Sequence, residues 1–184
     1  AVNINGAVSL AGSRNFAATA ETVTDNAGIT VSGTGTITLT ADEIDLLAGA
    51  NTVNGASTIS LIPASASAAI SVGFDSAGAA LDLDDTDLAA LADGFSQINI
   101  GNTTTGSGTV TINTATFTDP VLIAGGTIND ATGSADIAAG TNAVTLQGTV
   151  APGTGATTAG VLGITGNLTL ANNGTFAVEI GGTS

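Results

Sequence analysis

The segment richest in groups able to do chemistry is LDLDDTDLAALADGF, residues 81–95, which sets Asp82, Asp84, Asp85 and Asp87 within six positions. Carboxylates at alternate positions can hold a hard cation through oxygen. Asp82, Asp84, Thr86 and Asp93 fall on positions 1, 3, 5 and 12 of a calcium loop of the EF-hand type. Two positions depart from that pattern. The sixth, which needs Gly for a sharp turn, is Asp87, and the twelfth, a bidentate Glu, is the shorter Asp93. The glycine- and aspartate-rich nonapeptide that binds calcium between the coils of other solenoids is also missing. Weak calcium contact at Asp82, Asp84 and Asp85 stays open, but the pattern predicts no metal site.

The same residues make a better helix start. Asp84 or Asp85 can cap, and Asp87 then stands in the first turn, where a carboxylate meets the positive end of the helix dipole. Leu88, Leu91, Ala92 and Phe95 follow at helical spacing to form one apolar face, and Gly94 provides a stop. The spacing predicts a short helix over 84–94, inserted in the chain as a surface excursion.

A second acidic group is Asp42, Glu43 and Asp45 in TADEIDL. In an alternating strand Glu43 and Asp45 share the outward face, and paired carboxylates can cleave glycosidic bonds. Such cleavage also needs a surface for the sugar, and the chain has no Trp or Tyr to stack a ring and only Arg14 to clamp an acidic one. A solvated strand face is expected. Thr36, Thr38 and Thr40, and later Thr109 and Thr111, could line an outward threonine ladder of the ice-binding kind. The Thr-x-Thr unit recurs at no fixed phase, and threonine suits any solvent-facing strand. Arg14 is expected to pair with a carboxylate or face water, worth about 0–1 kcal/mol if exposed.

Composition narrows the field further. The chain of 184 residues has no His, Cys, Lys, Met, Trp or Tyr. Most proton shuttles, nucleophiles and soft-metal ligands are therefore missing, and no catalytic residue, cofactor or metal is expected. A net charge of −14 disfavours nucleic acid and anionic membrane surfaces, which are bound through Lys and Arg. Charged residues make up only 9% against 43% hydrophobic, which argues for a folded chain. No apolar run approaches the roughly 20 residues of a membrane span. The first residues, AVNINGAVSL, lack the regions of a signal peptide; if the protein is exported, its signal has been removed or lies further upstream.

Positioning falls to short strands. Aliphatic residues alternate with Thr, Ser or Asn in GTITL (35–39), STISL (57–61), GTVTI (108–112), NAVTL (142–146) and GNLTL (166–170). An apolar-x-apolar-Gly unit appears as ISVG (70–73), INIG (98–101) and VEIG (178–181). The intervals from Ile37 to Ile59 and from Val144 to Leu168 are each roughly 20–24 residues, the length of a repeat that forms one coil of a β-solenoid. Two or three strands fit in such a coil, and their inward aliphatics stack from coil to coil. The interval from Ile70 to Ile98 is far longer than the strand-to-strand steps around it, so it breaks the rhythm, and it contains the acidic segment. APGTGATTAG (151–160) reads as a flexible corner. An antiparallel β-sandwich is the rival fold, supported by Asn-Gly turns at 5–6, 54–55 and 173–174.

Three stretches carry a family resemblance: GTGTITLTADEIDLLAGANTVNGASTISLIP (33–63), LDLDDTDLAALADGFSQINIG (81–101) and GNLTLANNGTFAVEIGGTS (166–184). They resemble the passenger repeats of filamentous-haemagglutinin-like bacterial surface proteins. In the second stretch Asp87-Leu88 takes the place of a Glu-Leu pair, and Ile98, Ile100 and Gly101 form the strand that follows. The resemblance implies a right-handed parallel β-helix, secretion or cell-surface display, and an adhesive or scaffolding role. It brings no catalytic residues, and the family's asparagine-rich export motifs are not present in this chain. The expected architecture is one all-β solenoid over 1–184 with a single short helix. The expected partner is a second copy stacked end to end, or the continuation of a larger exported chain, because neither end carries a polar cap.

Overall fold

Each run of alternating residues is too short to bury a face alone, so stability must come from stacking one coil on the next. The computed structural model describes residues 1–76, 80–131, 136–153, 160–171 and 174–177. It shows a parallel β-solenoid of about seven turns, and every strand pairing in it is parallel, which excludes the sandwich. The first three coils are regular. They comprise β1 (Val2–Ile4), β2 (Val8–Leu10) and β3 (Phe16–Thr19); β4 (Thr22–Asp25), β5 (Ile29–Val31) and β6 (Ile37–Thr40); and β7 (Glu43–Leu46), β8 (Val53–Gly55) and β9 (Thr58–Ile62). Three faces result, ordered β1-β4-β7, β2-β5-β8 and β3-β6-β9.

Alternation puts one residue in two into the core. On the third face Ile37 stacks on Ile59, and Leu39 on Leu61, all nearly inaccessible to water. Burying each such side chain contributes about 1.5–3 kcal/mol. The coil-length spacings expected from the sequence are thus registers: Ile37 pairs with Ile59, and Val144 with Leu168. Side-chain bonds also link neighbouring coils, as from Asn26 to Asn5, 21 residues away.

The fourth coil departs from this regularity. Its members are β11 (Leu81–Leu83) beside β7, α1 (Asp85–Ala90) in place of a second-face strand, and β12 (Gln97–Ile100) on β9. Before it, the chain makes β10 (Ile70–Val72), which skips one level ahead and then returns. β10 pairs with β11 below it and with β13 (Thr109–Ile112) above it, out of chain order. A step of 39 residues therefore separates Ser60 from Asn99 directly above it. The irregular interval was legible in the sequence, but its surplus is β10 with its return loop, not the helix.

The helix also differs from the expectation. It covers Asp85–Ala90 and ends at Leu91, which turns extended and bridges Val53. Gly94 comes three residues after this stop and shapes a later turn, with φ +129°. Leu88, Leu91 and Phe95 are buried, so this segment belongs to the coil and is no surface excursion. Phe95 fits because β8 ends in Gly55, where a Cβ would meet the ring 2.6 Å away.

Above this level lie β14 (Ala115–Thr116), β15 (Val121–Asp130), β16 (Asp136–Val150), β17 (Gly163–Leu170) and β18 (Thr175–Phe176). β15, β16 and β17 run long enough to turn corners between faces. The corner at Gly101 (φ +89°) is tight, and a Cβ there would collide with the carbonyl oxygen of Ala124. VEIG (178–181) and residues 154–159 of the expected loop lie outside the described residues.

Candidate functional site

The two acidic groups of the sequence meet in one place. Because β11 lies beside β7, Glu43, Asp45, Asp75, Asp82, Asp84 and Asp87 line a single depression of about 150 Å³. Glu43 and Asp45 do face outward together, as alternation requires. Thr24 donates a hydrogen bond to Asp45 at 3.3 Å.

Each carboxylate of the segment has a local task. Asp82 accepts from the Ser71 hydroxyl (2.5 Å) and from the Ser76 amide (2.6 Å), tying β10 and its return loop to β11. Asp84 is the N-cap, accepting from the amides of Thr86 (2.7 Å) and Asp87 (3.0 Å). Asp87 completes a capping box by accepting from the Asp84 amide at 3.0 Å. Its other oxygen accepts from the Leu46 amide at 2.7 Å and so fastens the helix to the coil below. Asp93 does not join the others. It lies beside Asp119, whose carboxylate accepts from the Gly94 amide at 3.0 Å. The EF-hand alignment of Asp82, Asp84, Thr86 and Asp93 is therefore not a shared ligand set, and among the described residues no His, Cys, Asp or Glu group of three or more is arranged to hold a metal ion.

Burial raises several of these groups. Asp87 is pushed up to about 7 by burial, which the Leu46 and Asp84 amides oppose and the Asp84 and Asp45 carboxylates assist. Glu43 is raised by burial and then by Asp45 and Asp82. Asp119 is raised by burial against the pull of the Gly94 and Phe95 amides. Glycoside cleavage needs a raised carboxyl whose proton faces the substrate. Both oxygens of Asp87 are instead turned to backbone amides, and the depression is lined by carboxylates with no ring to receive a sugar.

The second feature is a cleft of about 580 Å³ on the second face, between α1 and β14. Sequence reading missed it, since it arises from the level skipped by β10. On the third face β12 pairs directly with β15, whereas on the first face β10 separates β11 from β13. The fourth and fifth coils are thus wedged apart, and on the second face no strand among the described residues fills the wedge. Leu88, Leu91 and Phe117 form its apolar walls, with Asn51, Asn113 and Thr116 among the polar ones.

Thr109, Thr127, Thr149 and Thr175 form one four-rung ladder on the first face. Its neighbour Thr111 stacks on Asn129, and Thr38 and Thr40 stack on Ser60 and Ile62, so no flat Thr-x-Thr array forms among the described residues. The Thr36 amide donates to the Asn15 side chain. Arg14 is exposed on a corner of the first coil, and Asp42 bonds through its amide to the Glu21 carbonyl.

The fold and its sites define a parallel β-solenoid with one wedged level. No protein-family model matches the chain, and no curated protein and no solved structure match it either.

Proposed function

We propose that this chain is a non-catalytic structural unit of the bacterial cell surface, a segment of a large adhesin-like exported protein or a subunit of an extracellular filament, that extends by stacking solenoid ends. The observation that carries this reading is the exposed aliphatic face of β17 and its surroundings. Leu168 and Leu170 continue the inward columns of Val144 and Leu146, yet they are 50% and 37% exposed. Val161 and Phe176 beside them are 68% and 55% exposed. Core-type residues at a strand edge with no partner among the described residues call for another coil. At the other end β1, β2 and β3 present parallel edges of matching order, with Val2, Val8, Leu10 and Phe16 only partly covered.

Composition supports an extracellular setting, since the single basic residue leaves trypsin-like proteases one cleavage position. No helix among the described residues is long and apolar enough to cross a membrane.

Sedimentation velocity and negative-stain microscopy of the purified chain test the reading. Head-to-tail oligomers that lengthen with concentration are expected, and Leu168→Asp with Leu170→Asp should abolish them while the melting curve keeps its shape. A monodisperse monomer at high concentration would count against stacking, and turnover of pectin-like or neutral polysaccharides would count against a non-catalytic role.

A further inference from the structure

The Asn-Gly pairs at 5–6, 54–55 and 173–174 do not serve as hairpin turns, since every strand pairing is parallel. They have a second property. The backbone nitrogen that follows an asparagine can attack its carboxamide, and glycine, lacking a Cβ, hinders that attack least. The reaction needs a nitrogen free of hydrogen bonds and a backbone able to bend toward the side chain.

The fold treats these pairs differently. Asn5 and Asn54 stand in nearly the same local sequence, Ile-Asn-Gly-Ala and Val-Asn-Gly-Ala, so any difference between them is tertiary. Gly55 lies within β8, paired with Val31 and set against the Phe95 ring. The Asn54 carboxamide donates to the Asn51 carbonyl at 3.2 Å, which holds it in place. The Gly174 amide is engaged by the Ala171 carbonyl at 2.6 Å, and Asn173 lies outside the described residues. Asn5 and Gly6 instead form an exposed bend between β1 and β2, outside both strands. The Gly6 amide donates to no group among the described residues, and a Cβ on Gly6 would meet nothing within 4 Å. The Asn26 carboxamide donates to Asn5 Oδ1 at 3.1 Å, the oxygen that gathers negative charge when the carbonyl is attacked.

We infer that Asn5-Gly6 is a self-modification site, where the chain converts Asn5 to aspartate and isoaspartate with water as the only co-reactant. The Gly6 nitrogen forms a bond to Asn5 Cγ, and the Cγ–Nδ2 bond breaks. The amide proton of Gly6 leaves with Nδ2 as ammonia, and the product is a five-membered succinimide. Water then opens the ring. Breaking the bond from the Gly6 nitrogen to Cγ gives aspartate. Breaking the bond from the same nitrogen to the backbone carbonyl carbon gives isoaspartate, in which the main chain runs through Cγ. Either product adds one negative charge to the first coil. Isoaspartate also puts a methylene into the link between β1 and β2, which shifts position 5 against its partner Asn26. The charge of this coil therefore records the age of the chain, whether or not the chain stacks.

The purified chain is aged in mildly alkaline buffer, unfolded in acid, and digested. Arg14 is the only basic residue, so trypsin releases residues 1–14 as one fragment. That fragment should resolve into three chromatographic forms, two of them heavier by the exchange of ammonia for water. Asn54, followed in a digest with an acid-specific protease, should convert at least tenfold more slowly than Asn5 in the folded chain. In urea the two should convert at equal rates. Gly6→Ala, which the open space at Gly6 admits, should slow conversion of Asn5 at least tenfold while the melting temperature holds. Equal rates at Asn5 and Asn54 in the folded chain overturn the inference, as does a Gly6→Ala chain that converts at the parent's rate. A 1–14 fragment that stays unmodified while the urea control converts would overturn it in favour of a bend locked by the fold.

Discussion

The first three coils and the fourth are built from the same residue types, yet one region is uniform and the other is not. From Val2 to Ile62 each coil contributes one strand to each face, and partners such as Asn5 and Asn26 lie 21 residues apart. From Pro63 to Ile100 the chain gives the first face two strands, gives the second face a helix, and stretches the step between Ser60 and Asn99 to 39 residues. A regular coil pairs its strands on all three faces and buries most of its aliphatics, so its flanks are mainly Thr, Ser, Asn and a few carboxylates such as Glu43 and Asp45. Where the count of strands differs between faces, the coils spread. Backbone groups, carboxylates and a cleft are then left for other uses.

Removing the extra strand is the sharpest way to erase this difference. Deleting positions 64–79 would make the step from Ser60 to Asn99 equal in length to the regular step from Ile98 to Val121. Ile62 would then reach Leu81 by as short a link as the one that carries Thr40 to Glu43. The expected product is a folded solenoid in which β11 pairs with β13. The cleft of about 580 Å³ between α1 and β14 closes. A deleted chain that unfolds, or whose structure keeps the cleft, would show that the wedge does not come from β10.

A smaller effect separates the regions by pH. Asp87 has its ordinary carboxyl value in the unfolded chain and about 7 in the folded one, because burial disfavours its charge. The folded state therefore holds the extra proton between about pH 4 and 7, and stability falls as pH rises through that window and levels off above it. Glu43 and Asp119 are raised and act in the same direction. The melting temperature should be higher at pH 5 than at pH 8 by about 5 °C. Asp87→Asn should flatten most of that slope. A melting temperature that rises with pH over this range would refute the buried-carboxylate account.

The smallest effect is confined to the helix. Asp84→Ala removes the N-cap and should cost about 1 kcal/mol. Hydrogen exchange should show lost protection at Leu88 and Leu91, with Ile37 and Leu39 in the regular coils unchanged. Equal loss in both places would mean that helix and coils unfold as one unit.

Much of the regular region was legible because alternation and spacing are local. The intervals from Ile37 to Ile59 and from Val144 to Leu168 mark real registers, since a buried column requires like residues at coil length. The helix start was legible to within one residue, Asp84 or Asp85, because capping acts within a single turn, and the structure assigns the cap to Asp84. Its end was not. Leu91 leaves the helix to bridge Val53, a long-range contact that outweighs the helical spacing of Ala92 and Phe95. The sites were least legible. ISVG and INIG look alike, yet β10 jumps a level on the first face while β12 takes its regular place on the third.

The sequence by itself determined that this chain stacks short strands into coils, that its chemistry is limited to carboxylates, hydroxyls and amides, and that Asp84 or Asp85 begins a helix. Those properties follow from side-chain type and near-neighbour spacing. Only the tertiary structure decided that β10 pairs out of order, that Glu43 and Asp45 share a depression with Asp82, Asp84 and Asp87, and that Thr116 lines a cleft beside α1. Each of these depends on which coil lies beside which. That choice is made by the packing of whole coils, which no window of neighbouring residues contains.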